Sequence, residues 1–129
     1  MPARVLVVED NPANLQLMLY LLKAFGHSVT PASDGPTGLR SAQGGDYDLI
    51  LCDVLMPELD GFEFARRYKA ARKTAPLVAV TALAMVGDKE ALLAAGFDGY
   101  IPKPIDPEKF VAQIDAFLPE QLRGTNPRR

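Results

Sequence analysis

The chain lacks much of what several familiar kinds of protein are built from. Its one cysteine, Cys52, rules out an internal disulfide and cannot by itself make a thiolate metal site, so it is expected to pack as a small apolar side chain. Long hydrophobic runs are missing. The longest stretch without a charged residue, Thr74 to Gly87, covers 14 residues and contains Pro76, short of the roughly 18 to 20 apolar residues that cross a bilayer. The series of basic, apolar and small residues that marks a secretory signal is also missing, and Arg4 to Val8 already read as a strand, so the expected setting is the cytoplasm. Positive charge is not in excess: 14 Lys and Arg face 16 Asp and Glu, a net charge of -2 that offers no strong field to a nucleic-acid backbone or an anionic membrane. Neither Gly-x-Gly-x-x-Gly nor Gly-x-x-x-x-Gly-Lys occurs, which removes the common dinucleotide and nucleotide phosphate cradles.

What is present fits one domain of ordinary size, with 129 residues, 48% of them hydrophobic and 23% charged. Short apolar runs recur at Val5–Val8, Ser28–Ala32, Leu49–Cys52 and Leu77–Val80, with a weaker one at Gly99–Ile101. Three of them lack alternation, as strands covered on both faces do. Between them lie helical stripes, Leu15, Met18, Leu19 and Leu22 in one and Phe110, Ile114, Phe117 and Leu118 in another. Asn11-Pro12 reads as an N-cap with proline in the first turn, and Gly26 as the left-handed stop, giving a helix over about Pro12 to Phe25. Asp60 with Glu63 resembles a capping box opening a helix that runs to about Arg72, and Asp106-Pro107 repeats the cap-and-proline arrangement before the last helix. Weaker helices fit Pro36–Gln43 and Val86–Ala95. Five strand-helix units predict a doubly wound α/β fold, a parallel sheet with helices on both faces joined by right-handed crossovers. Residues 1–118 would form this domain, and Pro119 to Arg129 a flexible tail or truncated linker.

Ligands of such a sheet bind beyond the carboxyl ends of its strands. Four of the five strand ends carry reactive residues: Glu9-Asp10, Asp53, Thr81, and Lys103-Pro104. Carboxylates converging there would repel by on the order of 4 kcal/mol per pair at about 4 Å and an effective dielectric near 20, so the cluster takes up protons or binds a cation. An all-oxygen donor set suits magnesium, with manganese as a substitute, and the absence of nearby His or Cys argues against zinc. Lys103 and the Thr81 hydroxyl would complete a site for a phosphoryl group, and Asp53, on the central strand, is the natural nucleophile.

These residues as a set, Val-Val-Glu-Asp-Asn at 7–11, Asp53-Val-Leu-Met-Pro57 continuing to Asp60-Gly61, Thr81-Ala82 and Lys103-Pro104, resemble the receiver domain of two-component response regulators over about residues 3–118. The resemblance implies a flavodoxin-like fold with strand order 2-1-3-4-5. It implies that Asp53 accepts phosphate from the histidine of a histidine kinase or phosphotransfer domain, with self-catalysed uptake and slow self-dephosphorylation in place of turnover on a free substrate. Asp10 and Asp53 would bind magnesium directly, Glu9 through water, and the Leu55 backbone carbonyl would add a ligand. Lys103 would contact the phosphoryl oxygens, and its bond to Pro104 would be cis. Thr81 and Tyr100 would act as the switch, presenting the face of helix four, strand five and helix five to an effector protein, with the chain monomeric or dimerising on phosphorylation. No output domain is read in the chain. Leu55 and Leu83 occupy positions that vary in the family, and being apolar they would favour a long-lived phosphate. A haloacid-dehalogenase-type phosphatase would need an aspartate where Leu55 stands. His27 is expected in a solvated turn, and Met18 and Met85 as space-filling.

Overall fold

The computed structural model describes residues 3–82 and 87–123. Leu83, Met85 and Val86, the last being the expected start of the fourth helix, lie outside the described residues, as do residues 124–129 of the expected tail. The five apolar runs are strands β1 (Arg4–Val8), β2 (Ser28–Ala32), β3 (Leu49–Asp53), β4 (Leu77–Thr81) and β5 (Gly99–Pro102). They pair in parallel in the order β2-β1-β3-β4-β5. Helices α1 (Pro12–Ala24), α2 (Gly35–Gly44), α3 (Gly61–Ala70), α4 (Asp88–Ala95) and α5 (Phe110–Asp115) connect or follow them.

Alternation along each strand sends side chains to two separate cores. Val5, Val7, Leu49, Leu51, Val78, Val80 and Ile101 pack with the stripes of α1 and α5, including Met18, Leu22, Phe110 and Ile114. Leu6, Val8, Ile50, Cys52, Leu77 and Ala79 face α2, α3 and α4, where Phe64, Tyr68 and Leu92 close the layer. Cys52 is buried there as a free thiol, as its apolar reading expects. Central strands β3 and β4 are buried throughout. The edge strands carry Pro31 and Pro102, which lack an N–H and so blunt the sheet edges against further pairing.

Asn11 Oδ1 accepts from Asn14 N at 2.9 Å and opens α1, and Gly26, at φ 91°, ends it in a conformation that disfavours any side chain. Three expectations about helix ends need correction. The Asp60–Glu63 capping box is only half formed: Asp60 Oδ1 accepts from Glu63 N at 3.0 Å, while the Glu63 carboxylate turns to Arg66 at 2.8 Å and Arg67 at 3.5 Å, where opposite charge one turn on outcompetes a backbone donor. That helix also stops at Ala70, before Arg72, whose backbone is left-handed at φ 58°. The last helix begins at Phe110. Asp106 instead closes a turn, accepting from Glu108 N through its side chain and from Lys109 N and Phe110 N through its carbonyl. Past α5, Glu120–Leu122 form a 3-10 turn, Leu122 packs on the core, and Arg123 Nε donates to the carbonyls of Asp115 and Leu118.

The clearest departure is His27. It is 4% exposed, Nδ1 accepts from Ala3 N at 3.0 Å, and Nε2 lies 3.8 Å from Asp115 Oδ1. The turn is covered because α5 packs across it, which no local signal announces. Burial holds the imidazole below its ordinary pKa of 6.5, against the pull of Asp115. As pH falls below about 6.5 the unfolded chain takes up this proton before the folded one does, so the stability present above that pH is lost until the folded imidazole also titrates. We predict that the urea midpoint of the wild type drops on acidification from about pH 7.5 to about 5.5 more steeply than that of His27→Asn, which keeps an acceptor for Ala3 N but does not titrate. Parallel curves for the two proteins would contradict this.

Candidate phosphoryl and metal site

The carboxyl ends of β1, β3 and β4 and the segment after β5 meet at one rim, because parallel pairing puts all strand ends of one kind on the same side. Glu9, just past β1, is fully buried; Asp10 beside it is exposed; Asp53, the last residue of β3, is 4% exposed. Oxygens of these three carboxylates lie within 4.8 Å of one another. Lys103 reaches across the rim to place Nζ 2.8 Å from Glu9 Oε1 and 3.1 Å from Asp53 Oδ2. Its own N–H donates to the Thr81 carbonyl at 2.8 Å, so β4 sets where the lysine starts, and the Lys103–Pro104 peptide is cis.

Backbone donors finish the arrangement. Asn11 N donates to Glu9 Oε2 and Leu55 N to Asp53 Oδ1, both at 3.2 Å. Sequence reasoning did not find these two contacts. Main-chain donors leave no trace in residue identity, although the helix cap at Asn11 marks where one would be. Thr81 is fully buried at the end of β4, next to the end of β3. Tyr100, on β5, is 42% exposed and pairs with Ala79, two residues before Thr81. Leu55, whose carbonyl was the fourth expected ligand, is in the loop after Asp53 with its side chain 60% exposed.

Burial, chiefly, raises the Glu9 carboxyl from 4.5 to about 7, aided by hydrogen bonding with and the charge of Asp53, while Lys103 and the Asn11 N–H pull the other way. Burial also works against the Lys103 ammonium. The attraction of Glu9 and Asp53 together outweighs it and holds the lysine above its ordinary value. One lysine faces three acids, so negative charge is left over. Glu9 Oε1, though close to Lys103, makes no well-angled hydrogen bond and has buried lone pairs to spare. An all-oxygen donor set with an undirected buried oxygen and surplus negative charge fits a hard divalent cation.

The excess charge also makes the cluster a cost to the fold. Replacing the exposed Asp10 by Asn is expected to stabilise the protein in chelating buffer by about 0.5 to 1 kcal/mol, read as a shift in the urea midpoint. In excess magnesium the ranking should reverse, since the wild type gains more from binding than the variant does. An equal magnesium response in both would remove Asp10 from the donor set.

Comparison with known proteins agrees with this geometry. The response regulator receiver domain model matches residues 5–115. The transcriptional regulatory protein TcrA of Mycobacterium tuberculosis is 37% identical over 97% of this chain and 48% of its own length, so the chain spans about half of that relative. The polar-differentiation response regulator DivK of Brucella anthropi is 37% identical over 92% of this chain and 98% of its own. Among solved structures, the receiver domain of the Pseudomonas aeruginosa sensor histidine kinase PA1611, with a magnesium ion coordinated in its active-site cleft, superposes with a TM-score of 0.81 at 35% identity, covering 91% of this chain and 98% of that one. With the sheet order, the rim and these likenesses together, the chain belongs to the response regulator receiver domain family, the signalling switches of two-component systems.

Proposed function

We propose that Asp53 accepts a phosphoryl group from a phosphohistidine of a histidine kinase or phosphotransfer protein, and that residues 1–118 form the domain that does so. The observation that carries this reading is a buried carboxylate at the end of the central strand, held on one oxygen by Lys103 at 3.1 Å and on the other by Leu55 N at 3.2 Å. The transfer makes a P–O bond to Asp53 as the P–N bond breaks, the electron pair staying on the imidazole nitrogen of the donor. Little acid-base work is involved in such a transfer, so positioning and charge stabilisation do the catalysis. Lys103 remains to meet the new phosphoryl oxygens, and the buried Thr81 lies one strand away, its hydroxyl available to donate a hydrogen bond to them. Glu9, Asp10, Asp53 and the Leu55 carbonyl would hold magnesium, with manganese as a substitute. When bound, the ion neutralises charge between the carboxylates and the incoming group.

The output would follow from the same contacts. Thr81, drawn toward a phosphorylated Asp53, would let Tyr100, exposed on β5, turn inward and reshape the α4, β5 and α5 face for an effector protein. We read the chain as a cytoplasmic switch, monomeric or dimerising on phosphorylation, with no nucleic-acid contact of its own. Among the described residues no helix is long and apolar enough to cross a membrane.

Treatment with acetyl phosphate and magnesium should add about 80 Da, one phosphoryl group, to the wild type and nothing to Asp53→Asn, read by intact mass. Equal gain in both would place the modification elsewhere. The exposed Leu55 offers no polar group to orient water, and Leu83 shares that chemistry but lies outside the described residues. Phosphate loss from Leu55→Asn is therefore expected to be roughly threefold faster or more, because an amide there aligns the attacking water. An unchanged lifetime would show that Leu55 does not control it.

A further inference from the structure

The segment from Asp53 to α3 is pressed from two sides by glycines. A side-chain carbon at Gly61 would come within 2.6 Å of Val54 Cα and 2.9 Å of the Asp53 carbonyl oxygen, both main-chain atoms that cannot swing away. At Gly35, the first residue of α2, such a carbon would strike the Leu59 carbonyl oxygen and lie 2.8 Å from Leu59 Cβ. Between these points the loop is tightly tied. Gly61 N donates to the Val54 carbonyl at 2.8 Å and Leu59 N to that of Pro57 at 2.8 Å, and Met56 and Leu59 are buried. Glu58 is left-handed at φ 68°, a conformation that a non-glycine residue keeps only where its surroundings over-determine it.

We propose that Gly35 and Gly61 are positioning residues for Asp53. By letting the first turns of α2 and α3 seat directly on the main chain of residues 53–59, they fix the direction of the Asp53 carboxylate relative to Lys103 and Glu9. Leu55 N, which holds Asp53 Oδ1, belongs to this clamped segment, so displacing the loop displaces a donor to the reactive group. Gly35 comes from a helix that gives no side chain to the carboxylate cluster, and it stands outside every motif quoted for the site. The nearest atoms that a side-chain carbon there would meet all belong to Leu59. The inference rests on the reading of Asp53 as the phosphoryl acceptor.

The test compares the wild type with Gly35→Ala, Gly61→Ala and Gly99→Ala. In the last, the added carbon strikes the Phe117 ring at the opposite end of the sheet. Phosphate uptake from acetyl phosphate with magnesium is followed by intact mass, and magnesium affinity by titration, at about 10 °C and corrected for the folded fraction. Gly99→Ala should lose stability yet keep the wild-type rate per folded molecule. Gly35→Ala and Gly61→Ala should fall about tenfold or more in rate, since a displacement near 1 Å is enough to misalign attack, and should bind magnesium more weakly. Wild-type rate and affinity in whichever glycine variant folds would overturn the proposal. So would failure of both to fold while Gly99→Ala folds, which would make the two glycines determinants of the fold alone. If the wild type itself gained no mass, the reading of Asp53 would fall, and magnesium affinity across the four proteins would still decide whether the clamp orients that carboxylate.

Discussion

The Lys103 ammonium between Glu9 and Asp53 is the interaction on which the rim depends. Glu9 is fully buried and Asp53 nearly so, and taking two carboxylates out of water costs heavily unless a cation stands within hydrogen-bond reach. Two carboxylates pull the lysine inward against its own desolvation, and the lysine in turn keeps them from being pushed apart. The compensation is deliberately incomplete in its effect: Glu9 remains raised to about 7, which leaves the site with an appetite for more positive charge. A cluster at electrostatic balance would have no use for a metal ion and no attraction for a group arriving with one.

Such a cluster survives only on a scaffold that does not yield. Two apolar layers hold the sheet from either face, and the central strands carry no exposed residue, so the stability lost at the rim is offset well away from it. The chain leaves β3 through a loop with a left-handed glutamate and enters α3 over a glycine contact, a path that costs conformational energy and is held by packing from α2 and α3. Chemistry and strain thus occupy the same few residues. The switch proposed for Thr81 and Tyr100 lies toward the side where β5 forms the edge of the sheet.

Much of this could be read from the chain before any coordinates. Unbroken apolar runs marked β1, β3 and β4 because both their faces are covered, and Asn11 and Asp60 cap helices at the expected starts. Errors came where a distant element overrides a local signal. His27 was expected in water and is buried by α5; the helix after Asp106 waits until Phe110, where the apolar stripe finds the sheet; Glu63 prefers arginines one turn on to the backbone of its own cap. At the site, the identities of Glu9, Asp10, Asp53, Thr81 and Lys103 were legible from their places after strands. The main-chain donors at Asn11 and Leu55 and the contact of Gly35 with Leu59 were not.

The residues alone therefore settled which segments are strands and helices and which chemical groups stand at the strand ends, since these follow from periodicity, caps and side-chain type within a few positions. Only the tertiary structure decided which of those groups meet. Asp53 and Lys103 lie 50 positions apart, and their 3.1 Å separation depends on strand order, on the reach of one lysine side chain and on how closely two helices can approach a loop. Those quantities are set by the packing of the whole sheet, because burial of each strand is shared with neighbours far along the chain.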